Sequence, residues 1–168
     1  MKAVIARKPG TEVLWEDMAV PTPGDFDALV RLEACGICNS TDYKLARDTF
    51  VPGPFPIVLG HESVGTVLET GSKVKNYTPG DRVFRQVLPD SSGPGVLRSV
   101  WGGFAEFGLV TDEWAKRDIP YGPDHFPGAQ QKLLSPVEPH LAATMITLME
   151  TLDCAANNCG VARGTSVA

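Results

Sequence analysis

The sequence predicts a mainly β domain, a barrel or sandwich of short strands, followed by a helical stretch. Up to residue 110, β-branched and apolar runs are of strand length and end at Gly, Pro or Asp. The 17 Gly and 14 Pro lie scattered between these runs without forming a repeat, which fits turns rather than disorder. After residue 137 the apolar side chains change to helical spacing.

Residues 2–7 are the first predicted strand, rich in β-branched and small apolar residues. Residues 12–15 are the second, ended by the break Pro21-Thr22-Pro23-Gly24. Residues 28–32 alternate imperfectly and lead straight into Cys35 and Cys38. Residues 63–69 run into the turn Thr70-Gly71-Ser72, and Pro79-Gly80-Asp81 turns the chain into a strand at 82–84. A further strand, 104–110, is entered through Gly102-Gly103. Residues 116–137 hold four prolines and little periodicity, so a long surface loop is expected.

Residues 138–158 place Leu141, Met145, Leu148, Met149 and Leu152 at helical spacing, with Pro139 suited to a first turn. This predicts one helix or two short ones, with Gly160 as the C-cap. Residues 164–168 read as a turn and the opening of a strand. A βαβ unit would begin there, but these 168 residues contain no glycine-rich dinucleotide fingerprint. The expected division is a β domain over 1–137 and a helical connection over 138–168.

Hydrophobic residues make up 43% and charged residues 21% of the chain, as in globular proteins. A net charge of −5 without a basic cluster argues against a nucleic-acid partner. No apolar run is long enough to span a bilayer, and the first residues, Met1-Lys2-Ala3-Val4-Ile5-Ala6-Arg7, lack a signal-peptide core. Cytoplasm is the expected compartment, so Cys35, Cys38, Cys154 and Cys159 are read as thiols, ligands or small buried hydrophobes rather than disulfides.

Three segments offer metal ligands: Cys38 just after a strand, His61-Glu62 between two apolar runs, and Glu150 within the helical stretch. A catalytic zinc needs about three protein ligands from Cys, His and carboxylate, plus an open position. Each segment also has a plain structural reading. Cys-x-x-Cys can be a redox pair, a half zinc knuckle or nothing, and with no second such motif a four-cysteine structural site is not available. His-Glu is more often a satisfied polar pair. Glu150 stands in an apolar stretch, where a carboxylate facing a core is costly unless paired or metal-bound, although it could simply face solvent.

Cys35-Gly36-Ile37-Cys38-x-Ser40, Gly60-His61-Glu62, Pro79-Gly80-Asp81-Arg82-Val83 and Gly102-Gly103-Phe104-Ala105-Glu106 occur in that order. Together with Met149-Glu150-x-Leu152 and Gly164-Thr165-Ser166-Val167, they resemble the zinc-dependent medium-chain dehydrogenase/reductase superfamily. The resemblance covers nearly the whole chain, with residues 112–132 the least similar. It implies a GroES-like fold, a partly open antiparallel barrel with a few helices, and a C-terminal helix leading towards an absent Rossmann domain.

The resemblance further implies a catalytic domain of an alcohol, polyol or sugar dehydrogenase that transfers hydride to NAD or NADP. One catalytic zinc would be held by Cys38, His61 and Glu150, with Glu62 beside it as an alternative or exchanging ligand. Ser40 matches a hydroxyl that relays a proton between alcohol and solvent. Small alcohols, polyols or sugars are the implied substrates. Without the cofactor domain the resemblance implies no useful NAD(P) affinity, no turnover by this chain alone, and self-association through the exposed domain interface.

Several positions depart from the family pattern. Thr41 stands where an Asp usually supports the ligand His, with Asp42 one residue later. Either Asp42 takes over or that support is weaker. Tyr43 replaces a relay His, and Thr151 stands where Pro commonly follows the Glu. The four-cysteine lobe is missing between Val87 and Trp101, so no structural zinc is expected. Two other readings are a non-catalytic GroES-like binding or scaffolding module and a zinc-independent quinone-reductase-like relative. The retained Cys38, His61, Glu62 and Glu150 favour the dehydrogenase, since neither alternative needs a convergent ligand set.

Overall fold

The computed structural model describes residues 1–10, 12–47, 55–84, 86–88, 98–99, 102–117, 132–133, 136–153 and 155. The strands are β1 (Lys2–Ala6), β2 (Val13–Asp17), β3 (Asp27–Gly36), β4 (Ile57–Val58), β5 (Glu62–Thr70), β6 (Arg82–Phe84), β7 (Arg98–Ser99) and β8 (Phe107–Thr111). The helices are α1 (Thr41–Ala46), α2 (Glu113–Arg117) and α3 (Pro139–Asp153). One four-stranded sheet runs β2-β1-β4-β7 and the other β6-β5-β3-β8. Pairing is antiparallel except between β4 and β7.

Residues 104–106 stitch the sheets together. Phe104 C=O accepts from Val4 N–H at 2.7 Å, Glu106 N–H donates to Lys2 C=O at 3.0 Å, and Glu106 C=O accepts from Leu32 N–H at 2.9 Å. The result is the mainly β, partly open antiparallel architecture expected from the sequence.

Apolar side chains fill the space between these elements. Ala28, Val30, Val67, Tyr77, Val83 and Val110 form one cluster on the second sheet. On α3, Ala142, Ala143 and Ile146 pack against Val64 and Phe84. Burying a side chain such as Ile146 contributes on the order of 2 kcal/mol, and it seats α3 over the start of β5. On the outer side of α3, Leu141, Leu148, Met149 and Leu152 are exposed.

The structure moves several boundaries. α1 is a helix the sequence reading did not anticipate, because a six-residue helix carries too little periodicity to register. Residues 104–106 bridge the sheets, and the strand itself begins at Phe107. α2 extends to Arg117, past the expected start of the loop at 116. Its first turn is closed by Asp112, whose Oδ1 accepts the Ala115 N–H at 3.1 Å, as an N-cap carboxylate does. α3 occupies the expected helical stretch as far as Asp153. The Gly160 cap, the strand opening at 164–168, most of the loop and residues 89–97 lie outside the described residues.

Candidate metal centre

The site forms where β3 ends and β5 begins. Register shifts between Leu29 and Val30, and between Leu32 and Ala34, set the pairing of the two strands. They place Cys35 opposite Ser63 and Gly36 opposite Glu62. Such bulges re-aim side chains beside sites. The chain then turns through Cys38 into α1. In the turn between β4 and β5, Gly60 has φ +97°, and a Cβ there would stand 2.6 Å from the Phe104 backbone nitrogen. Glycine is therefore required in the turn that delivers His61 and Glu62.

Cys38, His61 and Glu62 converge, each offering a ligand atom, with those atoms within 4.8 Å of one another. His61 and Glu62 are buried, at 5% and 7% exposure, while Cys38 is half-buried. His61 Nε2 lies 3.7 Å from Glu62 Oε1. Tetrahedral zinc bound by nitrogen, sulfur and oxygen sets its ligand atoms roughly 3.4–3.7 Å apart. The separation of the His61 and Glu62 donors is on that scale, and sulfur, nitrogen and oxygen are the donors zinc takes.

Asp42 ties the ligand-bearing segments together. It is 4% exposed. Its Oδ2 accepts the Cys38 N–H at 2.9 Å and its Oδ1 the Gly60 N–H at 3.2 Å. Oδ1 also lies 3.4 Å from His61 Nδ1. That contact favours the proton on Nδ1 and leaves the Nε2 lone pair for a ligand. Asp42 thus stands in the supporting place left open at Thr41, whose own N–H donates to Cys38 Sγ at 3.2 Å.

The electrostatics follow from these contacts. Burial pushes the Cys38 thiol up, but the Thr41 N–H and hydroxyl, the Ser40 N–H and the nearby His61 outweigh it, leaving the thiol below its ordinary pKa. The Asp42 carboxylate beside Nδ1 is the largest influence and raises His61 against the opposing effect of burial, and the charges of Cys38 and Glu62 add to the rise. Cys35 behaves differently. Burial first, then the charge of Asp42, pushes its thiol up to about 12. Its sulfur would lie 2.9 Å from a Cβ on Gly103, so it serves as packing.

Ser40 is exposed at the N-cap of α1 and makes no capping hydrogen bond. Tyr43 is 52% exposed beneath the Arg47 guanidinium, 4.4 Å from its ring centroid. Glu150 falls within α3, but its side chain lies outside the described residues. The sequence reading missed Thr147, whose hydroxyl donates to Glu62 Oε1 at 2.5 Å. Only a fold that seats α3 over β5 could show it.

Residues 24–120 match the family described as the alcohol dehydrogenase GroES-like domain. The chain belongs to this family, the N-terminal catalytic domain of zinc-binding medium-chain alcohol dehydrogenases. It is 43% identical to the NADP-dependent isopropanol dehydrogenase of Thermoanaerobacter brockii, over 43% of this chain and 20% of that protein. It is 32% identical to an L-threonine 3-dehydrogenase of Deinococcus radiodurans, over 64% of this chain and 36% of that protein.

A solved protein from Sinorhizobium meliloti 1021, described as a zinc-binding dehydrogenase and bound to NADP, is 31% identical. It superposes with a TM-score of 0.58, covering 84% of this chain and 41% of that one. The family is one of oxidoreductases. The chain spans under half the length of the curated relatives it matches, between 23% and 41% for the first three. No described helix is long and apolar enough to cross a membrane.

Proposed function

We propose that this chain supplies the metal- and substrate-binding part of a zinc-dependent alcohol, polyol or sugar dehydrogenase that passes hydride to NAD or NADP. The observation that carries the proposal is the convergence of Cys38, His61 and Glu62 within 4.8 Å, from two segments far apart in sequence. A fold kept only as a binding or scaffolding surface has no need of such a set.

In this reading Cys38, His61 and Glu62 hold one catalytic zinc, Glu150 adds a carboxylate from α3, and there is no structural zinc. Bound zinc supplies Lewis acidity that makes an alcohol more acidic near neutral pH. The residues around it do the rest. Cys38, its thiol held below the ordinary pKa, gives up its proton to a metal more readily, and Asp42 orients the His61 ring. The buried walls at His61 and Glu62 keep water from those donors. Ser40, exposed two residues past Cys38, moves the substrate proton to solvent. Hydride transfer belongs to the nicotinamide cofactor.

The catalytic unit in this reading is 1–137, and residues 138–168 connect it towards a cofactor-binding unit. The protein is cytoplasmic, and the exposed apolar face of α3 supports self-association.

The test is zinc content by elemental analysis of the purified chain and of Cys38→Ser. About one zinc per chain is expected, lost in the variant. No zinc in either protein would sink the proposal as a statement about this chain's chemistry.

A further inference from the structure

We infer that Thr147 is a positioning residue for the metal centre, its hydroxyl holding the Glu62 carboxylate in place from α3. The inference rests on the proposed role of Cys38, His61 and Glu62 as metal-holding residues, and it deepens that role.

Glu62 opens β5 directly opposite Gly36. A Cβ on Gly36 would lie 2.5 Å from Glu62 Oε2, so the carboxylate lies where any larger residue would intrude. Its other oxygen, Oε1, accepts the Thr147 hydroxyl at 2.5 Å and lies 3.7 Å from His61 Nε2. The oxygen nearest the ligand imidazole is therefore the one tied to α3. A carboxylate oxygen has two acceptor positions, so Oε1 can take the hydroxyl and still present a lone pair towards Cys38 and His61.

The other threonines of α3 show what such a hydroxyl ordinarily does. Thr144 donates to Leu141 C=O at 2.8 Å and Thr151 to Thr147 C=O at 3.0 Å, both satisfied within their own helix. Helical threonine is prone to this local bond. Thr147 instead reaches across 85 residues of sequence to Glu62. It directly follows Ile146, which is buried against the sheet, so the packing of α3 fixes where that hydroxyl stands. Its β-branch limits the side chain to few rotamers. The helix thus controls a ligand carboxylate it does not itself carry.

The test is metal binding by the full chain, stripped of metal, for wild type, Thr147→Val and Thr147→Ser. Zinc affinity is read by competition with a chromophoric chelator, and ligand geometry by the absorption bands of the cobalt(II)-substituted protein. Thr147→Val keeps the shape, loses the hydroxyl, and is expected to weaken zinc about tenfold and to shift the cobalt bands. Thr147→Ser is expected to restore both.

Unchanged affinity and bands in Thr147→Val would overturn the inference and leave the metal centre standing. Wild type that takes up neither zinc nor cobalt would overturn both. A cycle with Glu62→Ala, which leaves no acceptor for the hydroxyl, guards against a mere loss of folding. In that background Thr147→Val should change nothing further, and a repeated tenfold loss would show that the hydroxyl does not act through Glu62.

Discussion

Asp112 and Glu62 are both buried carboxylates, 1% and 7% exposed, and their surroundings differ in kind. Asp112 Oδ2 accepts the N–H groups of Lys75 and Asn76, each at 2.8 Å. Its Oδ1 accepts the Asn76 side-chain amide at 2.8 Å and the Ala115 N–H at 3.1 Å. The side chain of Glu62 accepts the Thr147 hydroxyl and faces His61 and, at the far side, Gly36. Asp112 is saturated by donors that cannot leave, so it fastens the 75–76 turn to α2. Glu62 retains acceptor capacity beside two groups that can bind a metal. Burial alone does not distinguish a structural carboxylate from a functional one; the identity of its partners does.

The strongest way to break this contrast is to remove Asp112. Asp112→Ala strands its buried donors and should lower stability by about 3 kcal/mol, measured by urea unfolding. Zinc binding by the folded fraction should stay unchanged, and a specific loss of zinc would erase the distinction. The same variant tests the pH response. Burial raises the Asp112 pKa, but the donors from Asn76, Ala115 and Lys75 outweigh it and hold the group below its ordinary value. With the folded pKa below the unfolded one, near 4, the contribution is present above that pH and fades as pH falls through the folded value. In Asp112→Ala this part of the acid sensitivity should disappear.

A smaller effect is expected at Asp42, which belongs to both classes because it fastens the backbone and orients His61. Asp42→Asn should weaken zinc between about 10- and 100-fold by chelator competition, since the replacement cannot offer the same acceptors to Cys38, Gly60 and His61. Full affinity in that variant would mean that the ring is held by other contacts.

Smallest in stability, and sharpest in what it isolates, is Gly36→Ala. The added Cβ meets the flexible end of Glu62, so unfolding should shift by only about 1 kcal/mol. Zinc affinity should nonetheless fall severalfold, because the carboxylate is pushed off its position. An equal loss in stability and binding would make Gly36 a packing residue only.

Much of this was legible in the chain. The strand runs, the turns at Thr70-Gly71-Ser72 and Pro79-Gly80-Asp81, and the helical spacing of Leu141, Met145, Leu148 and Leu152 are local signals, and β5, β6 and α3 lie where they point. Cys38 and His61-Glu62 stood out as chemistry-bearing groups on separate segments. α1 and the two-residue strands β4 and β7 were too short to leave a pattern. Asp42 could be named only as one of two alternatives, because one residue of spacing decides which side chain faces His61. Thr147 carried no signal at all: a threonine in a helix looks the same whether it bonds its own turn or a distant carboxylate.

By itself the sequence determined the period of each segment, where the backbone must bend, and which donor atoms are available, since these depend on residues within a few positions of one another. The tertiary structure decided which donors meet. The register of β3 against β5 sets Gly36 across from Glu62, and the seat of Ile146 on the sheet brings the Thr147 hydroxyl to Oε1. Convergence is a distance between residues remote in the chain, and only packing and register determine it.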